Sequence, residues 1–329
     1  MTVVPGRPGG KRRNAPGDAL PTRLIDLVDQ AAAALDAAGV SFGHGTTNAF
    51  DEAAWLVLWR LGLPLDTPLD DPGSPAGAGV SADQRNQVLA LLEERVRTRV
   101  PAAYLTGEAW LQGLPFHADA RAIVPRSLIA ELLVSGALDY WLPEPPNRVL
   151  DLCTGGGSLA VFAALRWPGA AVDAADISAD ALAVARLNVE RHGLGDRIRL
   201  LQGDGWAAVD SAYDLVLCNP PYVNTASMAQ LPPEYLAEPA LALAGGADGM
   251  DLVLALLEGA AEHMGPSAAL VLEIGHERDH FEAAFPGLEA VWLDTSAGGD
   301  QVCALTRAVL AARQPHKSGA SRGRRNPNP

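Results

Sequence analysis

The stretch Arg148-Val-Leu-Asp-Leu-Cys-Thr-Gly-Gly-Gly157 decides the fold, because an apolar strand runs directly into three glycines and then into a helix over 158–166. Further strands are expected at 171–176, 197–202, 213–218, 268–274 and 301–306, with a helix over 178–192 after the second strand. This alternation predicts an α/β fold with a mostly parallel sheet and helices on both faces. Ligands of such sheets bind at the carboxyl ends of the strands.

The chain before this sheet is predicted to be helical. Apolar periodicity predicts helices over 22–38, after Asn48 up to Gly62, and from Ser81 onward, where Gln84 completes a capping-box pattern. Residues 109–124 carry a Gly-Leu-Pro interruption that predicts a hairpin. We therefore expect five regions along the chain. They are a basic tail at 1–20, a helical substrate-binding domain at 21–108, a hairpin linker at 109–126, the sheet domain at 127–312, and a second basic tail at 313–329.

The charge is unevenly distributed along the chain. The formal net charge is −14, but the ends are basic, with four Lys or Arg within 1–13 and five within 313–329. The part between them carries −23, from 16 basic and 39 acidic residues. Such a body repels phosphate backbones, which argues against general nucleic-acid binding and favours contact with a basic protein. We expect the tails to be disordered, either solubilising the chain or contacting ribosomal RNA or another polyanion.

The cysteine and apolar patterns exclude several classes of protein. Cys153, Cys218 and Cys303 are too scattered for a disulfide framework, and no Cys or His cluster has metal-ligand spacing, so no metal is expected. The sequence has no run of eighteen apolar residues and no signal-peptide core, so we expect no membrane partner. A reduced, cytoplasmic protein is the resulting prediction.

The glycine loop after the first strand of the sheet fits a nucleoside ligand. Its glycines let the backbone approach a ligand closely, and the start of the next helix offers free N–H groups. Asp176 ends the next strand, where a carboxylate can accept hydrogen bonds from ribose hydroxyls. Asp151 would sit poorly beside a pyrophosphate, but well near the ammonium and sulfonium charges of S-adenosylmethionine. Without Asp176, the glycine loop alone would be weak evidence for a ligand, because a tight strand-to-helix connection can have the same glycines.

The second motif, Asn219-Pro-Pro-Tyr222, follows another apolar strand. Two prolines fix φ and restrict the preceding residues, so the turn is stiff. The Pro220 carbonyl and the Asn219 side chain can accept both hydrogens of a planar NH2 group, while Tyr222 packs against its carrier. These hydrogen bonds push electron density onto a weakly nucleophilic nitrogen, and placement supplies proximity. Together the two motifs indicate a methyltransferase that acts on an amino group without a metal or a covalent intermediate.

The two motifs resemble those of the HemK family of protein-glutamine N-methyltransferases, and the resemblance covers about residues 22–310. Further matches are Tyr104-Leu-Thr-Gly107, Val124-Pro-Arg-Ser127, Glu238-Pro-Ala-Leu241 and Gly245-Gly-Ala-Asp-Gly249. The resemblance implies the Rossmann-like sheet of class I S-adenosylmethionine-dependent methyltransferases. It also implies transfer of a methyl group to the N5 amide nitrogen of a glutamine in another protein.

The resemblance implies a division of roles within the site. S-Adenosylmethionine would be bound by Asp151, Cys153, Thr154, Gly155, Gly156, Gly157, Asp176, Asp204 and Asn219. The glutamine would be bound by Asn219, Pro220, Pro221 and Tyr222, with Asn219, Pro220 and Tyr222 as the catalytic residues. Three positions depart from the family pattern. Gly156 replaces a commoner Ser, Leu128 replaces a commoner Pro, and Gly205 stands where the release-factor branch has Trp, with Trp206 one place later.

Two branches of the family are possible. Phe42-Gly-His-Gly-Thr46 and Asp151-Leu-Cys-Thr-Gly155 are similar to the branch that modifies the third protein of the large ribosomal subunit. This implies a ribosomal protein as partner, free or in the assembling subunit. The alternative partners are peptide release factors, modified at the glutamine of Gly-Gly-Gln. Their enzymes usually carry Gly in place of Cys153 and Pro-Asp in place of Ser127-Leu128.

Other interpretations stay open. An enzyme that methylates an exocyclic base amine is disfavoured by the acidic body, and a nicotinamide-dependent dehydrogenase by the missing third glycine of GxGxxG. A ribosome-assembly factor without catalysis is disfavoured by the intact Asn219 and Asp176. Three single residues have alternative roles. His44 contacts the substrate or orders its loop, Arg126 pairs with an acid near the cofactor or bridges the domains, and Asp204 lies near the adenine or caps the next turn.

Overall fold

The structure is a computed structural model that describes residues 23–70 and 79–312. Both basic tails, for which disorder is predicted, and most of the loop predicted at 68–79 lie outside these ranges. Four helices come first in the described chain. They are α1 (Leu24–Ala37), α2 (Ala49–Leu61), α3 (Ala82–Thr98) and α4 (Ala102–Thr106).

Local sequence signals explain where these helices begin and end. The Asn48 side chain accepts a hydrogen bond from the Asp51 backbone N–H at 2.9 Å, which caps α2, and Gly62 ends it with φ of 67°. Ser81 and Gln84 form the predicted capping box of α3. The helical periodicity of the apolar residues Phe50, Val57 and Leu61 predicts one buried face for α2, and this prediction is only partly correct. Phe50 is 40% exposed, because α2 packs between α1 and α3 and buries Trp55 and its neighbours instead.

A hairpin connects the helices to the sheet. It consists of β1 (Glu108–Leu111) and β2 (Leu114–His117), which pair antiparallel. Gln112 and Gly113 both have positive φ, at 46° and 78°, as the tight turn of a two-residue hairpin requires. The chain then continues into α5 (Ile129–Ser135), which packs against α6 (Ser158–Arg166) beside the sheet.

The sheet has seven strands in the order β5-β4-β3-β6-β7-β9-β8, and the predicted α/β fold is confirmed. The first five strands in this order are parallel, and β9 and β8 are antiparallel to their neighbours. The strands are β3 (Arg148–Leu152), β4 (Ala171–Asp176), β5 (Ile198–Gln202), β6 (Tyr213–Cys218), β7 (Met264–Glu273), β8 (Val291–Thr295) and β9 (Gly298–Thr306). β8 was not predicted, because it is a partly exposed edge strand whose side chains show no clear apolar alternation.

Helices cover both faces of the sheet. α5, α6 and α7 (Ala179–Arg191) bury one face, where Val149, Leu217 and Val271 lie in the core. On the other face, Leu150, Val216 and Leu270 pack with residues from the remaining helices. These helices are α9 (Asp251–Gly259), α10 (Arg278–Ala284) and α11 (Arg307–Ala312), while the short α8 (Thr225–Met228) follows β6. Among the described residues, no helix combines the length and apolar character needed to span a membrane.

Candidate active site

The glycine loop joins β3 to α6 in a conformation that demands small residues. Cys153, Gly155 and Gly157 have φ of 62°, 54° and 82°. A Cβ on Gly157 would lie 3.0 Å from the Cβ of Ala185, so this end of the loop is packed against α7. A Cβ on Gly155 would meet only Ile123, at 4.0 Å. The loop is therefore tight on its helix side and open on the side of Gly155.

Asp176 lies at the end of β4, next to this open side. One carboxylate oxygen accepts a hydrogen bond from Gly155 N–H at 2.9 Å, and the other accepts one from Ser178 N–H at 2.8 Å. Burial raises its pKa, and the backbone hydrogen bonds act in the opposite direction. A carboxylate has about four lone-pair sites, so each oxygen can still accept another hydrogen bond.

A first cavity opens at the carboxyl ends of β3, β4 and β5. Cys153, Gly155, Asp176, Asp204 and Asn219 line it, as the sequence predicted for the cofactor site, and Pro221 lines it as well. Sequence reasoning missed its apolar wall, which includes Ile177, Leu241 and Leu252. Ile177 is 49% exposed and Leu241 is 60% exposed, so each offers apolar surface to a ligand.

The remaining predicted cofactor residues, Asp151, Thr154, Gly156 and Gly157, do not line the first cavity. Oδ2 of Asp151 accepts hydrogen bonds from Thr154 Oγ1 at 2.5 Å and from Ala160 N–H at 2.9 Å. Its Oδ1 is buried and has no hydrogen-bond partner within the described ranges. Burial raises the pKa of Asp151 to about 7, against the effect of these two hydrogen bonds. These residues thus support the loop from behind.

Asp204 and Trp206 face different parts of the molecule. Asp204 lines the first cavity and makes no side-chain cap on the short helical turn that follows, so the capping interpretation is wrong. Trp206 donates a hydrogen bond from Nε1 to the Leu256 carbonyl at 2.8 Å and stacks on His263. The indole therefore packs against α9 and is absent from the lining of the first cavity.

A second cavity adjoins the first at the end of β6. Asn219, Pro220 and Tyr222 line it together with Arg126, Tyr235 and Glu273. Asn219, Ile123 and Ala242 belong to the linings of both cavities, so they form a shared wall between them. The two sequence motifs therefore meet at Asn219, with one cavity on either side.

Glycines hold the Asn-Pro-Pro-Tyr turn from behind. A Cβ on Gly245 would lie 2.7 Å from the Tyr222 Cα, and one on Gly275 would lie 2.6 Å from the Tyr222 ring. Val223 N–H donates to the Leu243 carbonyl at 2.8 Å, and Gly245 N–H donates to the Val223 carbonyl at 2.9 Å. Main chain thus packs on main chain at this turn, which leaves no room for larger residues.

Glu238 joins three segments that are distant in the sequence. Its carboxylate accepts hydrogen bonds from Arg126 at 2.5 and 2.8 Å and from Val124 N–H at 2.9 Å, and His44 Nε2 lies 3.4 Å away. Burial by itself would raise the pKa of Glu238. The contacts with His44 and Arg126 outweigh this effect and lower the pKa to about 2. His44 is buried against Tyr235 and lines neither cavity, so it orders the loop. Arg126 bridges segments and lines the second cavity.

A second ionic cluster fixes the same loop to the helices. Arg95 is completely buried on α3 and pairs with Glu52 at 2.8 Å and with Glu234 at 3.4 Å. Arg99 reaches the same Glu234 oxygen at 3.3 Å, and Ser41 N–H donates to it at 3.2 Å. The loop 231–243, which carries Tyr235 into the second cavity, is thereby held by the N-terminal helices.

Metal binding finds no support in the described parts of the chain, where no group of three or more His, Cys, Asp and Glu residues is placed to hold an ion. The first cavity does fit S-adenosylmethionine. It combines two carboxylates with exposed apolar side chains and an open glycine loop, and the orphaned Asp151 oxygen lies just behind that loop. This combination suits a nucleoside that carries positive charge.

The sheet order and the glycine loop at its strand ends define a class I methyltransferase fold. Consistent with this, the family profile described as "Methyltransferase small domain" matches residues 132–271. The ribosomal protein uL3 glutamine methyltransferase of Bordetella pertussis is 56% identical over 292 residues, which are 87% of this chain and 96% of the relative. Relatives of the same name from Burkholderia pseudomallei and Neisseria meningitidis serogroup B are 51% and 46% identical. They cover 87% and 88% of this chain, and 95% and 94% of their own lengths.

The chain belongs to the family of ribosomal protein uL3 glutamine methyltransferases. It is an S-adenosylmethionine-dependent methyltransferase. The family resemblance inferred from the two motifs is therefore confirmed. Two of the matched stretches that accompany these motifs also come together in space, since Val124 and Arg126 both contact Glu238 beside the second cavity.

Proposed function

We propose that this chain transfers a methyl group from S-adenosylmethionine to the N5 side-chain amide nitrogen of a glutamine in ribosomal protein uL3. The observation that carries the proposal is the position of Asn219, which forms part of the wall shared by the two cavities. A residue in this wall can contact the methyl donor on one side and the accepting amide on the other. The names of the relatives supply the identity of the acceptor.

The first cavity would hold the cofactor. Asp176 would accept hydrogen bonds from the ribose hydroxyls through the lone pairs that the backbone leaves free. Asp204 and the exposed side chain of Ile177 would contact the adenine. Cys153 and Gly155 would line the methionine end, with Asp151, Thr154, Gly156 and Gly157 keeping the loop in shape. Bound in this way, S-adenosylmethionine supplies a methyl group activated by its sulfonium.

The second cavity would hold the glutamine side chain. Asn219 Oδ1 and the Pro220 carbonyl would accept one hydrogen each from the amide NH2, and the Tyr222 ring would pack on the amide plane. The amide nitrogen is a weak nucleophile because its lone pair is delocalised. Two fixed acceptors increase its electron density and direct the lone pair toward the methyl group, which costs little reorganisation in a stiff turn. Pro221 keeps that turn rigid.

The N-terminal helices would present the substrate protein. We propose a helical substrate-binding domain at 21–108, a linker at 109–126 and a methyltransferase domain at 127–312. Arg95 on α3 and Arg99 just after it pair with Glu234 of the loop that lines the second cavity, so the helices and the catalytic sheet would act together. A ribosomal protein is a basic partner for a body with a charge of −23, and the reaction would take place in the cytoplasm, on free or assembling uL3.

The test is a transfer assay with defined acceptors. The enzyme and methyl-labelled S-adenosylmethionine are incubated separately with purified uL3, with peptide release factors and with naked ribosomal RNA, and the labelled residue is mapped by mass spectrometry. We expect the label on one glutamine of uL3. Label confined to the Gly-Gly-Gln glutamine of release factors, or to a base, would contradict the proposed acceptor.

A further inference from the structure

Glu273 ends β7 beside the Asn-Pro-Pro-Tyr turn. Cys218 and Leu272 are paired in the register of β6 and β7, so Asn219 and Glu273 are the next residues on neighbouring parallel strands. Leu217 and Val271, two positions earlier on each strand, both lie in the core on one face of the sheet. Because side chains alternate along strands, Asn219 and Glu273 follow on that same face. Both line the second cavity.

We propose that the Glu273 carboxylate accepts the proton that the amide nitrogen loses during methyl transfer. This inference rests on the proposed function, because it concerns the glutamine bound in the second cavity. When the nitrogen lone pair has formed the new N–C bond, the bond from the methyl carbon to sulfur has broken, its electron pair stays on the departing thioether, and the nitrogen is positively charged with one hydrogen too many. One N–H bond then breaks, its electron pair returns to nitrogen, and the proton forms an O–H bond with Glu273.

The oxygens that bind the amide cannot perform this step. Asn219 Oδ1 and the Pro220 carbonyl are neutral amide oxygens, which accept hydrogen bonds but are far too weakly basic to keep a proton. An ionisable group next to them is therefore required for a proton transfer within the cavity. Among the described residues that line the second cavity, the carboxylates are Glu273 and Glu277, and the histidine is His276. His276 is exposed to solvent beyond the end of β7, whereas Glu273 adjoins Asn219 in the register of β6 and β7.

The hydrogen bonds of these two carboxylates distinguish them. Glu277 Oε1 accepts a hydrogen bond from Asn224 Nδ2 at 2.7 Å, and its Oε2 is 2.5 Å from His280 Nδ1, so each of its oxygens is already engaged outside the Asn-Pro-Pro-Tyr turn. Glu273 accepts from Ser127 Oγ at 2.6 Å and from Leu128 N–H at 2.9 Å, and both bonds are on Oε2. They fix the carboxylate while leaving lone pairs on Oε1 for the cavity.

The surroundings of Glu273 suit a base that works near neutral pH. Burial raises its pKa to about 7, and the hydrogen bonds from Ser127, Leu128 and Ile129 and the charge of Arg126 act in the opposite direction. Tyr222 of the Asn-Pro-Pro-Tyr turn lines the same cavity. Burial raises the pKa of its phenol, which therefore remains neutral. A carboxyl group whose pKa lies near the working pH is substantially ionised at that pH and still holds a transferred proton.

The test compares Glu273→Gln with wild type on purified uL3. A glutamine carbonyl can still accept the hydrogen bonds from Ser127 and Leu128, so the variant should fold and bind S-adenosylhomocysteine with wild-type affinity in calorimetry. We expect kcat to fall about 100-fold with KM for uL3 changed less than about threefold. In wild type, kcat should rise with pH through about 7 as Glu273 ionises, and this rise should be absent from the variant.

Two further variants complete the test. Glu277→Gln removes the other carboxylate of the cavity and should keep the rise of kcat with pH. Glu273→Asp retains a carboxylate at the key position and should also keep it, at reduced kcat. A Glu273→Gln enzyme with kcat within threefold of wild type, or with an unchanged pH profile, would overturn the inference. Absence of uL3 methylation by the wild-type enzyme would instead contradict the proposed function.

Discussion

The two cavities are built in different ways, although they share a wall. The first is formed mainly by consecutive strand-loop-helix units, with Cys153, Gly155 and Asp176 within one short stretch and Asp204 at the end of the next strand. The second is assembled from segments near 126, 222, 235, 273 and 301, which are far apart in the sequence. Local units are shaped by their own strands and helices, whereas distant segments need contacts that tie them together.

The contacts that hold the distant segments of the second cavity together are buried ion pairs. Glu234 and Glu238 lie on the loop 231–243 and are paired with Arg95, Arg99 and Arg126 from other parts of the chain. A buried pair contributes little net stability compared with apolar packing, but removal of one partner leaves a buried charge and is costly. The second cavity should therefore be the more vulnerable of the two, and three substitutions test this difference.

The largest effect is expected for Arg95→Met. The substitution leaves Glu52 and Glu234 buried without their common partner, which should lower the free energy of unfolding by about 3–5 kcal/mol. Urea denaturation monitored by tryptophan fluorescence measures the change. The matched control is Arg97→Met on the exposed side of the same helix, which should change it by less than about 0.5 kcal/mol. Equal stability of both variants would show that the cluster does not hold the loop.

Asn219→Ala should separate transfer from cofactor binding. Loss of one of two fixed acceptors at the amide should reduce kcat by about 100- to 1,000-fold, as is typical when a preorganised hydrogen bond is removed from a reacting group. Binding of S-adenosylhomocysteine should remain within a few-fold of wild type, because most of the first cavity is untouched. Turnover on uL3 and calorimetry measure the two effects, with the exposed Asn147→Ala at the opposite end of the sheet as control. Normal turnover would remove Asn219 from the catalytic residues.

Asp176→Asn should weaken cofactor binding and leave kcat largely unchanged, the reverse of Asn219→Ala. Its effect should be the smallest of the three substitutions. An amide in place of the carboxylate must turn its NH2 toward either Gly155 N–H or Ser178 N–H, and it loses acceptor capacity for the ribose. We expect cofactor binding to weaken about 10- to 100-fold, while kcat at saturating cofactor changes little. Calorimetric titration measures the affinity, and Asp196→Asn, at an exposed acid away from both cavities, is the control. Unchanged affinity would show that Asp176 does not contact the cofactor.

The sequence predicted the locally built parts well. The parallel strands, the helix caps at Asn48 and Ser81, and the hairpin are encoded by residues that are neighbours in the chain. The edge strand β8 was missed, because partial exposure removes the apolar alternation by which strands are recognised. Pairing with β9 through a tight turn stabilises this strand, and its own composition gives little sign of it.

The two sequence motifs contain residues that line the cavities, but most of the other lining residues were not predicted. Arg95 and Glu234 are charged residues that are normally exposed, so nothing in their local sequence indicates complete burial. Tyr235 and Ile123 reach the cavities only through the fold of distant segments. A signal was available for Glu273, since a carboxylate that ends a long apolar strand at the ligand-binding edge of the sheet is an unusual residue to bury. Asp151 does not line the first cavity, and its carboxylate accepts hydrogen bonds from Thr154 of the glycine loop and from Ala160 of α6.

The glycines behind Tyr222 have a consequence for how this enzyme can change. A side chain on Gly245 or Gly249 would overlap the backbone of Tyr222, so the position of the Asn-Pro-Pro-Tyr turn is set by main-chain packing. Under the proposed function, the Pro220 carbonyl that would accept from the amide is therefore insulated from ordinary replacement of these glycines. The loop 231–243 instead exposes replaceable side chains such as Leu236. New acceptor proteins could be accommodated by altering this loop alone, while the group that receives the methyl would stay the same.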